Sequence, residues 1–304
     1  MDIHGISGAA TVAIASSAVF VLVARSWHRL SRVIGVQPSF ANSIMREAAQ
    51  RFRDEFERLS NKRSTYLGAC LVFLVLFVAA YELDADRLFL GYPLWQLYIL
   101  FAALLCCVLL SAQQLLKTSM ECHRVRLLRD SNIAVGHGIQ RIAADFGYAY
   151  HDVDTAAGMI DHLIIGASGA YAINVVAKRP SAGGTVSLDG TDLVFSPAGS
   201  TETIVPIAAA IAALEREFRR LLDHRVRVRS VIAVPGWEID SQSSEEHLLV
   251  NEKSLPMLCT WKDKNDHLMN EDADALHALL AARCSLASER RSTRSEQGHE
   301  TVLE

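Results

Sequence analysis

Residues 159–180 read MIDHLIIGASGAYAINVVAKRP: an apolar, β-branched run, a turn of small residues at Ala167-Ser168-Gly169, and a second such run. This is the pattern of two strands joined by a tight turn. Asp161 and His162 interrupt the first run. A carboxylate in a strand whose other positions read as buried is costly unless it is paired, hydrogen-bonded or bound to a metal. Any fold built on this hairpin must therefore give Asp161 a partner, which makes it the first candidate for chemistry. His162 points to the opposite face of the same strand. It is expected to be a structural histidine held by backbone hydrogen bonds.

Around the hairpin, residues 121–286 carry the periodicities of a mixed α/β domain. Residues 122–145 read as a helix, with Gly136-His137-Gly138 as a break within it, and FGYAYHDV (146–153) alternates like a strand. GTVSLDGTDLVF (184–195) is a second hairpin centred on Asp189-Gly190. Pro206 opens a helix through Leu222, and 226–235 is a strand ending in Pro235-Gly236-Trp237. A short strand at 247–250, a short helix at 254–261 and a helix over 273–286 capped by Asp272 complete the domain. The polar tail 287–304 is expected to be disordered.

The order helix, strand, Asp-bearing strand, turn, strand, hairpin, helix, strand resembles the NERD (nuclease-related) domain, whose core is similar to that of the PD-(D/E)XK nucleases. The resemblance runs from about Ser131 to Trp261. It is carried by IDHLIIG (160–166) with Ser168-Gly169, by the Asp189-Gly190 hairpin, and by VIAVPGWEI (231–239) followed by Val250-Asn251 and Leu255. It implies a PD-(D/E)XK-like mixed sheet flanked by helices. In that family, acids hold a magnesium ion beside a lysine that positions or activates water. Asp161 matches the family's strand aspartate. Counting on without a gap, its Glu-x-Lys falls on Asn174 and Val176, its first-helix Glu on Ile139, and its later Gln near Ala209. A slipped match gives the lysine role to Lys178, since 174, 176 and 178 share a strand face. Asp152 and Asp154 on the neighbouring strand are further candidate acids.

Two functions follow from this pattern. The first is a degenerate, catalytically inactive module that binds or scaffolds protein partners or nucleic acid and needs no cofactor. The alternative is an active Mg2+-dependent DNA or RNA nuclease using Asp161, Asn174 and Lys178, with Asp161 as the metal ligand. Residues 131–284 hold 20 acidic and 13 basic side chains, whereas a nucleic-acid footprint is basic. Arg216, Arg219, Arg220, Arg227 and Arg229 form the one candidate phosphate track, with Glu215, Glu217 and Asp223 interleaved. Other chemistries lack their signals. The six cysteines include no CxxC pair, Ser168 has no GxSxG context, and His137 has no phosphate-loop motif.

Residues 1–120 hold three apolar stretches, about 7–24, 64–83 and 93–116. Each approaches the roughly 20 residues of a membrane-crossing helix. Arginine-rich flanks at 25–63 and 117–129, against an acidic loop at 82–86, imply a cytoplasmic C-terminal domain under the positive-inside rule. The expectation is therefore a multi-pass protein of the inner (cytoplasmic) membrane with the lipid bilayer as a partner. The membrane helices offer a homo-oligomer contact. A cytoplasmic amphipathic helix over about 38–62 carries Phe40, Ile44, Ala48, Phe52 and Phe56 on its apolar side.

Overall fold

The computed structural model describes residues 13–14, 17–24, 26, 45–82, 94–241, 246–259 and 267–285. They fall into two compact units, drawn from Met1–Gln37 with Glu55–Val125 and from Pro38–Asp54 with Arg126–Glu304. The expected tail at 287–304 and most of the first apolar stretch lie outside the described residues.

Helix α1 spans Gln50–Glu82 and α2 spans Leu94–Phe146. Residues 50–62 of the expected amphipathic segment and the second apolar stretch therefore belong to one helix, while 45–49 are not helical and 38–44, with Phe40 and Ile44, lie outside the described residues. The third apolar stretch continues without a break through Gly136 and Gly138. Among the described residues no helix is long and apolar enough to cross a membrane. The physical reason is visible in the sequence. Unbroken apolar runs reach only 66–81 in α1 and 97–110 in α2, short of the roughly 20 residues required. In α1 charged turns precede the run, and in α2 amide-bearing and charged turns follow it. This finding overturns the expectation of a multi-pass inner-membrane protein.

The second unit is a mixed α/β assembly. Strands β1 (Tyr148–Thr155), β2 (Gly158–Gly166) and β3 (Gly169–Val175) form an antiparallel meander. Strands β4 (Thr185–Asp189), β5 (Asp192–Ser196) and β6 (Ser200–Thr203) follow, then helix α3 (Val205–Leu222) and strand β7 (Val228–Ala233). Strands β8 (Glu238–Ser241) and β9 (His247–Val250), a 3-10 turn at Leu255–Cys259 and helix α4 (Asn270–Arg283) complete the chain order. One sheet runs β1-β2-β3-β7-β9, with β3, β7 and β9 parallel. The other runs β6-β5-β4-β8.

Burial follows from β-branched runs that are apolar on both faces, as sheets covered on both sides require. The C-terminal turns of α2 place Val135, Ile139 and Ile142 on one face of the five-stranded sheet, against Ile164, Tyr171, Ile173 and Val231. Helices α3 and α4 cover the other face, with Leu214, Phe218, Leu276 and Leu280 against Tyr150, Ile160, Leu163 and Ala172. A third cluster joins the smaller sheet to the larger. In it Phe195, Leu193 and Trp237 meet Val176, Ile232 and Leu249. Strands β6 and β8 carried no clear period in the sequence because each is four residues long. Asp272 lies in the first turn of α4, whose N-cap is Met269.

Candidate functional site

Alternation along β1 and β2 fails at one place. Tyr150 and Val153 are an odd number of residues apart, as are Ile160 and Leu163, yet all four enter the core beneath α3 and α4. A regular strand would send one of each pair to the opposite face. The break lies at Asp152, whose φ of 52° is left-handed. The ladder passes from His151↔His162 to Val153↔Ile160 with Asp152 and Asp161 unpaired between them. On the other side of β2 the pairing reaches His162↔Ile173, so Asn174 stands next to Asp161 across the strands. Asp152, Asp161 and Asn174 thus form one cross-strand row where the backbone ladder is open.

Each member of the row is engaged within the protein or poorly suited to a cation. One carboxylate oxygen of Asp161 (Oδ2) accepts the Val175 N–H at 2.8 Å. The side chain keeps a partly exposed edge but is otherwise enclosed. Burial raises its pKa from 3.8 to about 6, against the opposing pull of the Val175 N–H and the Arg51 charge. Asp152 is buried, and its Oδ2 accepts the backbone N–H of Arg51 at 3.1 Å. Burial pushes its pKa upward, while that N–H and the charges of Arg51 and Arg46 pull it down. Its Oδ1 has no hydrogen-bond partner among the described residues, and neither does Nδ2 of buried Asn174. Arg46 Nη1 donates to the Asp152 carbonyl at 2.6 Å and lies 3.5 Å from the Asp154 carboxylate. The Asp154 side chain itself is largely exposed.

Lys178 lies beyond the strand face on which it was expected. Strand β3 ends at Val175, so the shared face expected for 174, 176 and 178 stops before Lys178. Lys178 instead turns to the smaller sheet, where Nζ donates to Ser200 Oγ at 2.5 Å and sits 4.1 Å over the Phe195 ring. Its carbonyl accepts the Trp237 indole N–H at 3.1 Å. Val176 is buried in the core between the sheets, and Ile139, on α2, is buried against the five-stranded sheet. The structure thus brings Asp161 and Asn174 together and takes Lys178 away from them.

A magnesium ion does not fit this set. Asn174 brings no charge, Asp152 gives one of its two carboxylate oxygens to the Arg51 N–H, and two arginines stand beside the acids. Among the described residues no group of three or more His, Cys, Asp or Glu side chains is placed to hold a metal ion.

The arginine cluster also divides. Arg216, Arg219 and Arg220 are exposed on α3 and Arg227 is exposed ahead of β7, but Arg229 is buried within β7. The interleaved acids have structural partners. Glu215 accepts the Val228 N–H at 2.8 Å, and Glu217 forms a two-pronged pair with Arg283 of α4.

The residue whose role the sequence understated is His162. It does face away from Asp161, but its Nδ1 lies 2.8 Å from Nδ1 of His151, and both rings are buried. Burial lowers the pKa of His151 to about 4 and that of His162 well below its ordinary value. Two neutral imidazoles share one N–H here. The signal that could have located the pair was present, since His151 and His162 are opposite each other once the hairpin register is drawn.

No family model matches this chain, and no curated protein or solved structure matches it.

Proposed function

We propose that residues 126–285 form a PD-(D/E)XK-like module that no longer hydrolyses phosphodiesters and acts by binding or scaffolding. One observation carries this reading. The lysine that would assist hydrolysis is held by Ser200, Phe195 and Trp237, while in the acid row Asp152 accepts the Arg51 N–H and Asp161 stands beside an uncharged Asn174. The strand order supports the fold assignment: an antiparallel three-stranded meander, a crossover through α3, and a parallel return at β7. A protein partner is favoured over nucleic acid. The module is acidic overall, and its arginines do not share one exposed track.

The test uses the purified full-length chain with single- and double-stranded DNA and RNA in magnesium or manganese. No metal-dependent cleavage is expected. Cleavage that disappears in Asp161→Ala would establish the active-nuclease alternative. Nucleic-acid affinity that falls on charge reversal of Arg216, Arg219 and Arg220 would establish a nucleic-acid scaffold in place of a protein one.

A further inference from the structure

Where α1 begins, the chain is fastened to the acid row at several points. Ala49 is left-handed at φ 62°, which turns the chain into the helix. The first N–H groups of a helix lack partners within it. Here the Arg51 N–H finds one on Asp152 Oδ2, a carboxylate from another element placed at the positive end of the helix dipole. Five residues earlier, Arg46 is buried, donates to the Asp152 carbonyl and reaches the Asp154 carboxylate. Its own backbone N–H donates to the Cys284 carbonyl at 2.9 Å, and Met45 bridges to Ser285 just beyond α4. Arg51 extends toward β2, where Nη1 lies 2.6 Å from Met159 Sδ and its charge acts on Asp161. The left-handed turn at Asp152 permits this arrangement. It removes that residue from the ladder and frees both its carbonyl and its carboxylate for the incoming segment.

We infer that residues 45–51 form a docking joint in which Asp152 caps α1 from outside the helix and Arg46 and Arg51 serve as the resident cations of the Asp152–Asp154–Asp161 acids. The joint rests on the reading that this row is not a hydrolytic metal site, and it deepens that reading by naming what took the metal's place. It is also a mechanical coupling. The capping carboxylate sits on β1 directly across from Asp161, so a displacement of the start of α1 changes the surroundings of Asp161 and Asn174. The contacts are polar and few, and loss of an external cap loosens a helix terminus before it loosens a sheet core.

Hydrogen exchange on the full-length chain tests the joint. In Asp152→Ala, amides at 46–54 should exchange roughly ten-fold faster, the scale of losing a helix cap, and in Arg46→Met they should also exchange faster, while β3 and β7 keep their protection. Manganese ion added to the wild type should leave exchange at 158–176 unchanged. Unaltered exchange at 46–54 in both variants would overturn the inference. So would equal loosening of every strand, or manganese-dependent protection of 158–176 in the wild type. If Asp152→Ala does not fold, Arg46→Met decides alone, since it removes the clamp and leaves the cap. Failure of the functional reading registers separately, as Asp161-dependent cleavage.

Discussion

Asp161→Asn offers the sharpest quantitative test of the site. Burial lifts the Asp161 carboxyl from 3.8 to about 6. The folded state therefore holds a proton that the unfolded state has released across that interval. The sign follows from linkage: stability declines as pH rises from about 4 to about 6, and the full penalty persists above it. At 1.36 kcal/mol per pKa unit, the ceiling is roughly 3 kcal/mol. Solvent at the exposed edge of the side chain reduces this to about 1–2 kcal/mol. Asparagine cannot ionise, yet its Oδ1 still accepts the Val175 N–H. The variant should therefore be more stable than wild type at pH 8 by about 1–2 kcal/mol, with the gap closing by pH 4. Urea unfolding of both proteins at several pH values, with the slope against denaturant checked for constancy, supplies the numbers. A variant that is less stable than wild type at pH 8, by a margin that widens with pH, would refute the argument. Such a result would mean that ionised Asp161 is held by a favourable cation strong enough to outweigh its burial.

Other positions make narrower predictions. His151 has its pKa lowered from 6.5 to about 4. Stability linked to the His151–His162 pair is thus complete above pH 6.5 and is lost as pH falls toward 4, by up to about 3 kcal/mol. Urea midpoints should show a flatter acid limb in His151→Leu and, because Asp161 acts with the opposite sign, a steeper one in Asp161→Asn. Gly147 ends α2 at φ 141°, and a Cβ there would lie 2.3 Å from the Ile165 carbonyl oxygen. Gly147→Ala should lower stability by about 2–4 kcal/mol in the same assay, since backbone cannot yield as a flexible side chain does. Trp237→Phe keeps a ring against Phe195 but leaves the Lys178 carbonyl without its indole donor, a loss of about 1–2 kcal/mol by thermal unfolding. Installing a Glu-x-Lys pattern through Asn174→Glu with Val176→Lys should yield no magnesium-dependent cleavage. It should destabilise the chain by about 3 kcal/mol or more, because position 176 is enclosed by Ile232, Val234 and Leu249.

Much of the α/β unit was legible because its elements announce themselves by period and turn chemistry. The β2–β3 hairpin, the Asp189-Gly190 turn and the Pro-initiated α3 fall where apolar alternation and turn residues place them. The helical breaks implied by Gly136 and Gly138 did not occur. At both positions an added Cβ would crowd another segment, Ala48 in one case and Leu255 in the other, so these glycines serve close packing within a continuous helix. Lys178 could not be located from strand period, because period says nothing about where a strand stops. Three residues past β3, the chain has already turned toward the smaller sheet. The docking of residues 45–51 was likewise invisible. Its contacts span about a hundred residues of sequence, and they depend on a left-handed aspartate that no periodicity signals.

That left-handed aspartate links the chemistry to the architecture. In an unbroken hairpin, Asp152 and Asp161 would be a directly opposed pair of like charges, which is destabilising across antiparallel strands. Such a pair is tolerable around a divalent cation. Without one, the acids must separate, take up protons or acquire cations from the protein itself. Here all three occur together. The positive φ takes Asp152 out of the ladder, burial raises the proton affinity of Asp161, and Arg46 and Arg51 arrive from the segment that begins α1. The absence of a carboxylate at 174 belongs to the same set, since a third acid in this row would exceed what two arginines can balance. Asn174 is therefore understood as part of how the protein settles a row of acids. On this argument, Asn174→Glu alone should lower stability most at alkaline pH and least below pH 5, and urea midpoints that fall equally at all pH values would count against it.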